Sequence, residues 1–164
     1  MRLNIFSLKN LICLLTIISV FFLDRISKIK IVQHHLLNEN GRIYLNDYLN
    51  LELIWNTGIG FGLLNLEAGI IYNSISIFIF LIVLVIVFFL IKSDLKEGFL
   101  YALIIGGAIG NLYDRAIYFA VPDFIDFHIG NYHWFTFNIA DIFVSLGIIL
   151  LIINELILKK NEKN

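Results

Sequence analysis

The stretch "IFIFLIVLVIVFFLI", from Ile77 to Ile91, contains no polar side chain. Only a helix or a closed barrel satisfies its backbone inside hydrocarbon, and about 20 apolar residues suffice for a helix to cross it. The run sits in a larger apolar segment, 70–91, long enough for such a helix. Three more segments meet the same criterion, at about 8–26, 98–119 and 138–158. The chain as a whole is 59% hydrophobic with one proline in 164 residues, too apolar for an ordinary water-soluble domain. The expected fold class is a membrane all-α protein with four transmembrane helices plus a small β-containing outer loop region, as a single integral membrane domain over 1–164.

The first segment has the basic lead of a signal peptide (Arg2, Lys9) but no small-residue cleavage site, and further spans follow it, so it reads as a retained helix. Charge orients the bundle. Arg2 and Lys9, Lys92 and Lys96 in "KSDLKEG", and Lys159, Lys160 and Lys163 in the tail all fall on one side, which is expected to be cytoplasmic. The loops 27–69 and 120–137 then lie outside. In the first of them Leu49, Leu51 and Leu53 alternate with Asn50 and Glu52, the period of a half-buried strand, and "IYLND" is placed to pair with it. "NTGIGFGLL" follows, with Gly58, Gly60 and Gly62 able to turn or to approach a ligand closely. A net charge of −1 gives nucleic acid no bulk attraction. Cys13 stands alone, which excludes an intramolecular disulfide and a cysteine-based zinc site, and its apolar setting points to packing.

A charged side chain at membrane depth costs several kcal/mol, so each one needs a reason. Asp24 and Lys28 in "LDRISK" share a helix face, and a surface ion pair at the membrane edge is the simplest reading. In "GGAIGNLYDRAIYF", Gly106 and Gly110 let helices pack closely. Asn111 and Arg115 lie one turn apart in the same segment, and an Asp114–Arg115 pair at the helix end is one reading of its charges, with Arg115 also able to bridge to acids elsewhere. Asp123 follows Pro122, which places it in extended chain beyond the third span. Asn138 is a natural cap for the fourth helix, with Asp141 in its first turn. Asp24, Asp123, Asp126 and Asp141 thus collect near one membrane boundary. His34, His35, His128 and His133 fall on the same side without metalloprotease spacing, and packing in aromatic loops accounts for them. Two carboxyls meeting at a membrane edge share a proton and so supply a base and an acid around one water. A proton-transporting subunit would instead spread acids along a path to both faces. An assembly factor built on the glycine face gives two converging acids no purpose.

Five ordered blocks, "LDRISK", "NTGIGFGLL", "GGAIGNLYDR", "VPDFIDF" and "FNIADIFVSLG", resemble those of the lipoprotein signal peptidases, the bacterial signal peptidase II family. The resemblance covers nearly the whole chain. It implies an aspartic endopeptidase of the bacterial inner membrane, with both termini cytoplasmic and the active site near the periplasmic face. Such an enzyme cuts a prolipoprotein just before its diacylglyceryl-modified lipobox cysteine. It implies Asp123 and Asp141 as the catalytic pair, and Asp24, Lys28, Asn56, Gly58, Gly110, Asn111, Arg115 and Asn138 as substrate-binding or supporting residues. Asp126 stays outside the pair as an interfacial or structural acid. No metal and no cofactor are expected. The expected partners are the lipidated substrate and the bilayer, with the enzyme a monomer. The sequence departs from the family pattern at Trp55, where Arg is usual, at Ile59-Gly60, where Ala-Ala is common, and at Pro122, where Val is common.

Overall fold

The computed structural model describes residues 7–38, 41–58 and 70–161. Gly60, Gly62 and the Ile59-Gly60 departure lie outside them. Among the described residues there are four helices: α1 (Leu8–Leu37), α2 (Ile70–Lys92), α3 (Leu95–Tyr118) and α4 (Ile139–Asn161). Four strands, β1 (Ile43–Asn46), β2 (Leu49–Asn56), β3 (Val121–Ile129) and β4 (Tyr132–Phe137), form one antiparallel sheet in the order β1-β2-β3-β4.

Local chemistry sets the helix ends. The Ser7 hydroxyl accepts from the Asn10 amide at 3.2 Å and caps α1, and Asp94 accepts from the Glu97 amide at 2.9 Å and caps α3. Lys9 Nζ donates to the carbonyls of Leu90, Ile91 and Ser93 at 2.8, 3.1 and 2.7 Å, satisfying the carboxyl end of α2. At the end of α3, Phe119 takes a left-handed conformation, φ 54°, and turns the chain into β3.

Helix α3 lies at the centre and packs on α1, α2 and α4. Its glycines are the reason. A β-carbon on Gly106 would sit 2.8 Å from Val20 Cβ, and one on Gly107 would sit 2.5 Å from the Ala140 carbonyl oxygen. Gly106 therefore admits α1 and Gly107 admits α4, each to backbone distance. From the other side, Gly147 of α4 approaches the Leu100 carbonyl in the same way. Outward, α2 and α4 expose Phe78, Leu81, Val85, Phe89, Ile149 and Ile153, an apolar surface larger than water-soluble monomers present. Among the described residues two helices, over Asn73–Lys92 and Ile139–Ile157, are long and apolar enough to cross a membrane. Charged and polar residues lower the hydropathy of α1 and α3.

Three expectations change. The loop expected from residue 27 begins with helix, since α1 continues to Leu37 and measures about 45 Å at 1.5 Å per residue. The loop expected over 120–137 is the β3–β4 hairpin. The strand expected around Leu49–Leu53 exists and pairs with β1, but its phase breaks. Leu51 opposes Ile125 and Ile54 opposes Asp123, so β2 carries one extra residue there, a bulge. Asn50 precedes the bulge and is buried against Asp126 and His128 on the face turned from Leu49 and Leu51, while Asn56, beyond the bulge, arrives on the face of Asp123. A strict alternation would have put Asn56 on the other face.

Candidate active site

Asp123 reaches its position through β3, where the Phe119 turn and Pro122 deliver extended chain directly from α3. It is 2% exposed. Asn56 Nδ2 donates to its Oδ2 at 2.9 Å, and Asn138 Nδ2 donates to its Oδ1 at 2.6 Å. Burial first, and then the charge of Asp141, push its carboxyl up from 3.8 to about 6, against the opposing pull of the two amide donors and Lys28.

Asp141 lies in the first turn of α4 as expected, and Asn138 caps that helix. The Asn138 side-chain oxygen accepts from the Asp141 amide at 3.0 Å, and Asp141 Oδ2 accepts from the Asn138 amide at 3.2 Å. This reciprocal capping box locks both residues. Asn138 is fully buried and so does three things: it ends β4's approach, starts α4, and holds Asp123 with the remaining amide donor. The other oxygen of Asp141 accepts from Asn111 Nδ2 at 2.8 Å.

Behind the two acids lies a buried ionic cluster. Lys28 Nζ donates to Asp24 Oδ2, Asn111 Oδ1 and Asp114 Oδ2 at 2.8, 2.8 and 2.7 Å. Three N–H bonds thus meet three acceptors. Arg25 pairs with Asp114 at 2.5 Å and stacks on the Tyr113 ring at 4.9 Å. Asp24 Oδ1 accepts from the Ala140 amide at 3.1 Å, tying α1 to the start of α4. Gly110 makes room, since a β-carbon there would lie 2.6 Å from Asp24 Oδ2. Asp24 and Lys28 are therefore a buried pair and not a surface one, because α3 and α4 close over them. Asp114 pairs with Lys28 and Arg25 and not with its neighbour Arg115, since adjacent helical residues point apart. Arg115 instead donates to the Gly58 carbonyl at 3.1 Å, and the Gly58 amide donates to Asn56 Oδ1 at 2.8 Å. Arg25 is the member that sequence reading missed. Its signal was available: Asp24 and Asp114 need two cations at membrane depth, and Lys28 is only one.

The residues singled out from sequence, Asp24, Lys28, Asn56, Gly58, Gly110, Asn111, Arg115, Asp123, Asn138 and Asp141, are linked by these contacts into one continuous set. Asp126 is buried on the opposite face of β3, where His133 bonds to it. Trp55 packs its ring 5.8 Å from that of Tyr118, opposite Pro122 in the sheet register. Beside Asp141, a cleft of about 370 Å³ between β4 and α4 is lined by Phe135, Phe137, Ile142 and Leu146.

The Signal peptidase (SPase) II family matches residues 16–157. The chain is 47% identical to the lipoprotein signal peptidase of Pelagibacter ubique, over 98% of this chain and 99% of that protein. It is 38% identical to the lipoprotein signal peptidase of Thermodesulfovibrio yellowstonii, over 92% of this chain and 98% of the relative. A bacterial membrane enzyme solved by the in meso method at 2.3 Å resolution superimposes with a TM-score of 0.75 at 28% identity, covering 91% of this chain and 90% of the other. With the fold, the apolar outer surface and the sequence agreeing over nearly its whole length, this membrane-embedded chain belongs to the signal peptidase II family of proteases.

Proposed function

We propose that the chain is an aspartic endopeptidase that hydrolyses the bond just before the diacylglyceryl-modified lipobox cysteine of prolipoproteins, with Asp123 and Asp141 as the catalytic pair. The observation that carries this reading is Asn138, whose side chain and backbone hydrogen-bond to both carboxyls at once. Two acids held on one residue do not ionise independently, and the carboxyl of Asp123 is pushed up to about 6. Below about pH 6 Asp123 holds a proton, and the reactive form of the pair is the one that carries a single proton. The ionised carboxyl takes a proton from water as the oxygen attacks the peptide carbonyl. The protonated carboxyl hydrogen-bonds the developing oxyanion, and a proton passes to the departing amine as the C–N bond breaks. Base and acid come from the protein itself. The apolar cleft that opens beside Asp141 supports entry of acyl chains from the lipid.

The test is cleavage by purified protein in detergent. A peptide carrying the diacylglyceryl cysteine should be cut at its amino side without an energy source, and the same peptide lacking the lipid should be cut far more slowly. Equal cleavage of both would remove the lipid from the recognition, and no cleavage of either would end the peptidase reading.

We further propose that all four helices cross the bacterial inner membrane, in a monomer with both termini cytoplasmic and the dyad near the periplasmic face. The lysines flanking α2, α3 and α4 support this orientation. In intact spheroplasts, an Asn46→Cys variant is expected to react with an impermeant maleimide, while tags at both termini stay protected. Cys13 is buried and contributes little background. Labelling of the termini in place of position 46 would invert the topology.

A further inference from the structure

The sheet face turned away from Asp123 gathers a second set of donors. Asp126 and His128 alternate along β3 onto that face. His133 of β4 stands opposite His128 in the register, and Asn50 of β2 stands opposite Asp126. We propose that Asp126, His128 and His133 form a binding site for a divalent transition cation of the zinc class.

The donor set is that of such a site: two imidazoles and a carboxylate leave one or two positions for water. The ligand atoms of the three residues all lie within 4.8 Å of one another. His133 Nδ1 is 2.9 and 2.8 Å from the two oxygens of Asp126, and His128 Nδ1 is 3.6 Å from Asp126 Oδ2. Tetrahedral zinc with bonds near 2.0–2.1 Å separates its donors by about 3.3 Å, so a shift of about 1 Å or less at each side chain admits the ion. The two rings already stack, 5.4 Å between centroids and 27° apart, with both Nδ1 atoms turned to one carboxylate.

Hydrogen bonding within the cluster does not satisfy it. Both oxygens of Asp126 face the same His133 nitrogen. His128 Nδ1 has two marginal contacts, 3.5 Å to Asn50 Nδ2 and 3.6 Å to Asp126 Oδ2. Asn50 is 4% exposed, and its Oδ1 has no partner among the described residues. Rotating that amide by half a turn, an assignment that heavy-atom positions do not fix, directs an oxygen toward the same spot. A buried carboxylate, an underused imidazole nitrogen and an unpartnered amide oxygen share one deficit, and a divalent ion supplies it. Asp126 and His128 are buried while His133 is exposed, so an ion has an entry route from the hairpin surface.

Metal-stripped protein in detergent should be titrated with Zn²⁺ and, for its visible spectrum, Co²⁺. One Zn²⁺ per chain is expected to bind and to raise the unfolding temperature. His133→Ala, at an exposed position that tolerates truncation, should weaken Zn²⁺ binding by at least about 100-fold, the upper end of what even indirect partners contribute. Asp126→Asn should weaken it too. The double variant His34→Gln/His35→Gln and the dyad variant Asp123→Asn should bind as the parent does. X-ray absorption at the zinc edge should show two imidazoles with oxygen ligands. Absence of saturable binding by the parent, or binding that survives His133→Ala, overturns the proposal.

Discussion

Asp123→Asn and Asp141→Asn are each expected to lower turnover of a lipidated lipobox peptide by about 10³-fold or more, since acid–base contributions of 10²–10⁴ fall on one carboxyl pair. Asp126→Asn should have a much milder effect, because that side chain lies on the other face of β3. Stability separates chemistry from folding. The carboxyl of Asp123 is raised from 3.8 to about 6, so its ionised form is the disfavoured one in the folded protein. Below about pH 4 the wild type is free of this penalty. The penalty develops between about pH 4 and 6 and is complete above that, where a rise of that size corresponds to roughly 3 kcal/mol. The amide introduced by Asp123→Asn never ionises, but its NH₂ group faces one of two donors, Asn56 or Asn138, at a cost of about 1–3 kcal/mol. Asp123→Asn should therefore be as stable as the parent or more so at pH 8, and less stable at pH 4. Thermal unfolding of both proteins across that range measures the crossing. A stability difference that does not move with pH would show that Asp123 does not carry the raised carboxyl, and a folded Asp123→Asn with near-normal turnover would end its catalytic assignment.

Much of this arrangement is legible in the sequence because it depends on local chemistry. Asn138 three residues before Asp141, at the start of an apolar run, already specifies a capping box, and the structure forms it. Gly106 four residues before Gly110 specifies a close helix contact, and α1 occupies it. What the sequence hides depends on distant partners. The extra residue in β2 reverses the strand's phase, and nothing in "YLNLELIWN" marks where that occurs. With strict alternation Asn56 would turn from Asp123. The partners of Asp114 are equally non-local. Arg115 is its neighbour in sequence, yet Lys28 and Arg25 reach it from α1. The convergence of His128 and His133 on Asp126 likewise requires the β3–β4 hairpin, which a reading of 120–137 as loop does not supply.

Lys28→Met is the second large expected effect, a loss of about 3–5 kcal/mol of folding stability together with most of the activity. Asp24, Arg25, Lys28 and Asp114 are 0, 8, 1 and 0% exposed, and their two positive and two negative charges balance. Removing one member leaves a net negative charge that neither water nor lipid reaches to solvate, and breaking a buried pair costs about that much. Met fills similar volume, so the loss reports charge and not a cavity. Lys28→Arg should not restore the parent, because a planar guanidinium does not reproduce one nitrogen bonded to Asp24, Asn111 and Asp114 together. The double variant Lys28→Met/Asp114→Asn removes one charge of each sign and should recover part of the stability. Activity should recover less. Asn111 receives Lys28 on its oxygen and offers its nitrogen to Asp141, so without the ammonium this amide is free to turn and Asp141 loses its donor. Unfolding in detergent and peptide cleavage, measured on the parent, Lys28→Met, Asp114→Asn and the double variant, give the coupling directly. If Lys28→Met stays within about 1 kcal/mol of the parent, the four charges do not depend on one another and solvent reaches a cluster that the fold encloses.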